Sequence, residues 1–327
     1  MEIRILPVKR ARPGLRVLVA TRETVGVGEA FPLPGRSRDT ADEAIDVIER
    51  LTGRLPRIRG TAREVLSVLA ETVDPERYPS AAFALESAFL DFVGHLSGRP
   101  AWALLGGHPG TRVPLNAVVP VGATETRVQV AIAAIDAGFS AVKVKFGGQD
   151  VASDVEVLRY IRAARPEAVL RVDPNMGWSL PQARGLLESL APLGLEYAEQ
   201  PVSPRDLLAL DPIVPLAADE SMEDRAFRGA VLESERIAVV VLKPALVGGI
   251  TRTLEIGAAA RARGKRVVVT HAFDGPVAQA AAIEVALALG CELACGLHLH
   301  GGLSQRLDGT SVRASNAPGL GLAHRRD

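Results

Sequence analysis

Five segments of the chain end an apolar run on side chains able to move a proton or hold a cation. They are Lys143-Val144-Lys145, Asp173-Pro174-Asn175, Glu199-Gln200-Pro201, Asp219-Glu220-Ser221 and Lys243-Pro244. Lys143 and Lys145 are two apart, so a strand puts both on one face. Val142, Val144 and Phe146 make the opposite face apolar, which argues against an exposed edge strand with alternating lysines. A buried lysine is costly unless it is paired or neutral. Asp173, Glu199 and Asp219 could each be a helix cap or a surface charge taken singly. Together they form an all-oxygen set suited to a hard cation, Mg²⁺ or Mn²⁺, and without a cation three converging carboxylates would repel. Lys243 would face Lys145 across such a site. That combination suits removal of a proton next to a substrate carboxylate. The cation neutralises the carboxylate and stabilises the enediolate, while a lysine takes the proton.

These segments meet only if the elements carrying them form a parallel, closed sheet. From residue 114 onward, short apolar runs alternate with amphipathic stretches. The runs are Leu115–Val121, Ala141–Phe146, Val169–Val172, Leu195–Ala198, Val214–Ala217, Ala238–Leu242, Arg266–Val269 and Leu293–Leu297. Helical periodicity fills 126–137, 154–164, 180–190 and 276–289. Eight strand–helix units over roughly two hundred residues fit a (β/α) barrel, with the polar run ends at one mouth. The rival, a doubly wound open sheet, often carries a Gly-rich phosphate loop after its first strand, and Pro120-Val121-Gly122-Ala123 is not one. Before the barrel, residues 2–32 read as strands, with Gly26, Gly28 and Pro32 marking turns, and 40–100 read as helices. The expected organisation is an α+β capping domain over 1–107 and a barrel with a C-terminal tail over 108–327.

The 38 Lys+Arg and 38 Asp+Glu cancel, which removes any global charge argument for nucleic acid or an anionic membrane as partner. A small-molecule carboxylate is the expected partner. The N-terminus lacks a signal-peptide core, and the Ala-rich run 278–289 is too short to span a bilayer, so a cytoplasmic location is expected. Cys291, Cys295, His298 and His300 cluster in sequence, but their spacing matches no standard zinc pattern. They read as small core cysteines and strand-end histidines.

The ordered set of five segments resembles the enolase superfamily, muconate-lactonising subgroup. Further likeness lies in Gly26 through Gly35, similar to the end of a first hairpin and a capping loop, in Ala81–Gly107, and in the tail Pro318–Leu322. The resemblance implies a modified (β/α) barrel with an N-terminal α+β cap. It makes Lys145 the base, Lys143 its charged neighbour touching the substrate carboxylate, and Lys243 the stabiliser of the intermediate from the opposite face. Asp173, Glu199 and Asp219 would bind Mg²⁺, and Asn175 and Arg171 would contact substrate. Arg171-Val172-Asp173-Pro174-Asn175 and the loop Gly28 through Gly35 point within the subgroup to a carbon–oxygen lyase. Its reaction is dehydration of a succinyl-hydroxycyclohexadiene carboxylate to o-succinylbenzoate, a step of menaquinone biosynthesis. The alternatives are racemisation of N-acylamino acids or epimerisation of dipeptides, since one lysine can abstract and the other reprotonate. A catalytically inert binding barrel is disfavoured by the presence of all three carboxylates and both lysines. His271 with Asp274 could suggest a His base, but that branch carries Asp on the sixth strand, where this chain has Lys243.

Overall fold

Three antiparallel strands open the chain: β1 (Glu2–Lys9), β2 (Pro13–Ala20) and β3 (Val25–Ala30). The computed structural model describes residues 1–53, 55, 60–147, 150–298 and 307–322. Gly26 and Gly28 do not mark turns; both lie inside β3. A Cβ at Gly28 would come within 1.8 Å of Ala84 O, and one at Gly26 within 2.3 Å of Ala88 O. The strand can therefore rest directly on the backbone of the helix Pro79–Ser97. That helix is buried from Pro79 to Gly94, and its Ala, Leu and Phe side chains form the centre of the cap. Pro79 starts it, Asp39 accepts from the Ser80 and Ala81 amides, and Gly98 ends it at φ 65°. Helices Ala41–Leu51 and Ala62–Thr72 begin with reciprocal Thr/Glu caps, Thr40 with Glu43 and Thr61 with Glu64.

After β4 (Arg112–Pro114) comes a curled parallel sheet. Its strands are β5 (Asn116–Val119), β6 (Ala141–Lys145), β7 (Leu170–Asp173), β8 (Tyr197–Glu199), β9 (Leu216–Ala218), β10 (Ile237–Leu242) and β11 (Arg266–Val269), neighbours in that order. Every adjacent pair is parallel, with helices between. The eighth run differs from expectation. Leu293–Leu297 lays down no ladder; it touches β5 through Leu115–Cys295 and the end of β11 through Thr270–Gly296. At the second bridge the approach is close: a Cβ at Gly296 would sit 2.5 Å from Thr270 Oγ1. One residue bridges each way, and the ring closes.

Buried carboxylates fasten the cap to the barrel. Glu86, inside the helix Pro79–Ser97, accepts from the amides of Ile250 and Thr251, which begin the helix Gly249–Ala262. Glu284 accepts from Trp102 N at 2.6 Å. Asp91 accepts from Val27 N and Leu320 N, which returns the tail to the cap. Strands β12 (Leu307–Asp308) and β13 (Ser311–Arg313) pair onto β4. No helix among the described residues is long and apolar enough to cross a membrane.

Candidate active site

The parallel register fixes the mouth. Lys145 pairs with Asp173 across β6 and β7, and Glu199 pairs with Ala217 across β8 and β9. Asp219 follows β9 directly, and Lys243 follows β10. With the ring closed by the eighth segment, β6 and β10 stand opposite each other. Both lysines, the three carboxylates and Asn175 line a cavity of about 510 Å³, with Leu33 and Arg36 from the loop after β3 reaching over it.

Charges interlock there. Lys143 Nζ donates to Asp173 Oδ2 and Glu199 Oε1, both at 3.0 Å. Lys145 Nζ donates to Asp173 Oδ2 at 2.6 Å and Asn175 Oδ1 at 2.8 Å. Lys243 Nζ is clasped by both oxygens of Asp219. Burial works to lower the Lys143 and Lys243 ammonium groups, but Asp173 and Glu199 for the first, and Asp219 and Glu223 for the second, outweigh it and raise both. Burial likewise works against the Asp173 carboxylate, and Lys143 with Lys145 overcomes it, so Asp173 falls below its ordinary range. Glu199 is different. Burial pushes its carboxyl up to about 7; Lys143 pulls down, and Asp173 and Asp219 push up again. Burial, more than any charged neighbour, therefore sets the direction at Glu199.

Three buried carboxylates on adjacent strand ends form an all-oxygen donor set that fits a hard divalent cation. Among the described residues no three His, Cys, Asp or Glu side chains are set to hold a metal ion as they stand. Lys143 stands between Asp173 and Glu199, and Lys243 occupies both oxygens of Asp219. Cys291 and Cys295 are buried, His298 lies at the cavity with its ring edge-on to Phe139, and His300 falls outside the described residues.

Arg171, expected to contact substrate, is placed elsewhere. It lies two residues before Asp173 on the same face of β7, one layer deeper in the barrel. It is fully buried, donates to Glu196 and to Ala294 O at 2.6 Å, and stacks over Tyr197. It joins the eighth segment to the sheet. Asn175 does line the cavity, but its Oδ1 is taken by Lys145. Asp274 turns to Ala272 N and Arg12.

Three residues were not anticipated from sequence. Arg36 reaches Glu220 at 3.1 Å and Asp219 at 3.5 Å, and also pairs with Glu223. Gln200, at φ 36°, accepts from the amides of Asp219 and Ser221 and so locks the ends of β8 and β9 together. Phe273, at φ 55°, is 67% exposed at the cavity rim. A positive φ is costly for residues of this size and marks Gln200 and Phe273 as constrained positions.

Comparison with known proteins agrees with this fold. An N-succinylamino acid racemase of Thermus thermophilus is 31% identical over 259 residues, 76% of this chain and 68% of that protein. An o-succinylbenzoate synthase of Mycobacterium tuberculosis is 37% identical over 193 residues, 57% of each chain. The crystal structure of a dipeptide epimerase from Methylococcus capsulatus complexed with Mg ion superposes with a TM-score of 0.82 at 26% identity, covering 99% of this chain and 98% of that one. The enolase C-terminal domain-like family matches residues 126–327, and the chain is a member of that family, an enzyme of the enolase superfamily.

Proposed function

We propose that this chain is an o-succinylbenzoate synthase, a metal-dependent lyase that dehydrates a succinyl-hydroxycyclohexadiene carboxylate in menaquinone biosynthesis. Lys145 and Lys243 facing each other across one cavity beside three buried carboxylates carry the proton chemistry, and the segment Arg171-Val172-Asp173-Pro174-Asn175 with the loop Gly28 through Gly35 carries the choice of the lyase. Asp173, Glu199 and Asp219 would hold Mg²⁺, or Mn²⁺ in its place; when bound, that cation supplies Lewis-acid stabilisation of the substrate carboxylate. Lys143 holds Asp173 and Glu199 in place and adds positive charge beside them. Lys145 takes the α-proton. The carbon–oxygen bond then breaks, and the departing hydroxyl recovers that proton as water. Lys243 contributes positive charge on the other face. Residues 1–107 would form the cap and 108–327 the catalytic domain, with Leu33 and Arg36 closing the cavity from the cap side.

Racemisation of N-acylamino acids and epimerisation of dipeptides stay together as the second reading, favoured by a lysine on each face. The deciding experiment incubates enzyme and Mg²⁺ in D₂O with the cyclohexadiene carboxylate and, separately, with N-succinylamino acids. Faster turnover of the first is expected. Efficient deuterium exchange and racemisation of the second, with slow dehydration, would reverse the assignment.

A further inference from the structure

The end of β6 is gripped from behind by two charges that never reach the cavity. Arg127 lies in the first turn of the helix Thr124–Asp136, and Asp154 in the first turn of Val151–Ala164. Their side chains are 3% and 1% exposed and are ion-paired. Arg127 Nη2 donates to Lys145 O at 2.6 Å. Asp154 Oδ2 accepts from Gly147 N at 3.1 Å. The pair thus holds the main chain on both sides of Phe146, immediately after Lys145 leaves the ladder. Phe146 N itself bonds to Asp173 O at 3.0 Å, so the strand end is fixed toward β7 as well.

A joint between two barrel helices does not need charge. Burying an ion pair is expensive, and an apolar contact would often serve as well. What an apolar contact cannot do is satisfy a carbonyl and an amide at a strand end. We infer that Arg127 and Asp154 are positioning residues for Lys145, setting the direction in which its side chain leaves β6. The inference rests on Lys145 being the proton carrier. Neither residue lines the cavity, so substrate binding is expected to be little affected while proton transfer suffers. Misplacing a reacting group by about an ångström can cost about 100-fold in rate.

The test uses Asp154→Asn, which keeps an acceptor for Gly147 N but removes the charge, and Arg127→Lys, which keeps the buried charge but loses the fork. Lys145→Ala is measured beside them. For dehydration of the cyclohexadiene carboxylate, kcat is expected to fall about 10- to 100-fold in each positioning variant, with KM changed less than threefold. The acid limb of the kcat–pH profile should also move, which a purely structural joint would not cause. Thermal unfolding is recorded for each. A lowered Tm with kcat and pH profile unchanged would overturn the inference, and so would wild-type kinetics in Arg127→Lys alone should Asp154→Asn not fold. If Lys145→Ala retains turnover, it is the base assignment that has failed.

Discussion

Lys145 Nζ lies 2.6 Å from Asp173 Oδ2, so the residue proposed as base and one proposed to hold the metal share a hydrogen bond. Lys143 bonds to the same oxygen. A cation bound at Asp173 would compete with both ammonium groups for it. Turnover is therefore expected to vanish after exhaustive EDTA treatment and to return with Mg²⁺. Asp173→Asn should weaken Mg²⁺ binding measured by titration calorimetry on the protein without substrate. Undiminished activity in the chelated enzyme would exclude the metal site.

Lys145→Ala should abolish the chemistry with the fold intact. The side chain is partly exposed at the cavity and, among the described residues, donates to Asp173 and Asn175. General acid–base groups contribute about 10²- to 10⁴-fold, so kcat should fall by that order while KM moves little. The Tm should stay within a few degrees. A variant with kcat near wild type would show that another group takes the proton.

Glu86 gives a pH test of the joint between cap and barrel. Burial pushes its carboxyl up to about 7, against the amides of Thr251 and Ile250, which pull down. The folded state then keeps a proton that the unfolded chain loses near the ordinary glutamate value. Stability should fall as pH rises from about 4.5 to about 7 and level off above, by at most about 1.4 kcal/mol per pH unit. Glu86→Gln keeps an acceptor for both amides and removes this slope. Urea unfolding at pH 5 and pH 8 should show the variant gaining on the wild type at the higher pH. If the variant is less stable at pH 8, Glu86 works as an ionised staple instead.

The mouth was legible in the sequence because a parallel strand ends where its apolar run meets a polar residue, and closure brings such ends together. Lys145, Asp173, Glu199, Asp219 and Lys243 follow from that rule, and Lys143 from the alternation that puts it on the face of Lys145. Depth was not legible. Arg171 shares a face with Asp173, and alternation cannot say that it lies one layer lower, tied to Ala294 O. Nor was Arg36, in the polar stretch Gly35-Arg36-Ser37-Arg38, because its partners Glu220 and Glu223 come from distant sequence. Gly26 and Gly28 misled for a related reason. Glycine marks both turns and close approaches, and only the helix lying on β3 separates the two.

Lys243 separates the two readings of the reaction. Its ammonium is held by Asp219 and lies 3.7 Å from Glu223, on the wall opposite Lys145. A racemase needs an acid and a base, one on each face of the intermediate. A dehydration in which proton and hydroxyl leave from the same face needs only Lys145 to deliver and recover a proton, and Lys243 can then act by charge over the developing ring. Lys243→Arg preserves that charge and should keep measurable dehydration, whereas Lys243→Ala should lose it. Any side racemisation of N-succinylamino acids should vanish in both, because alanine carries no proton to transfer and a guanidinium stays protonated near neutral pH and cannot serve as a base. Both reactions are assayed on both variants. Equal loss of dehydration in the Arg and Ala variants would mean that proton transfer by Lys243, or its particular shape, is required, and the electrostatic role would be wrong.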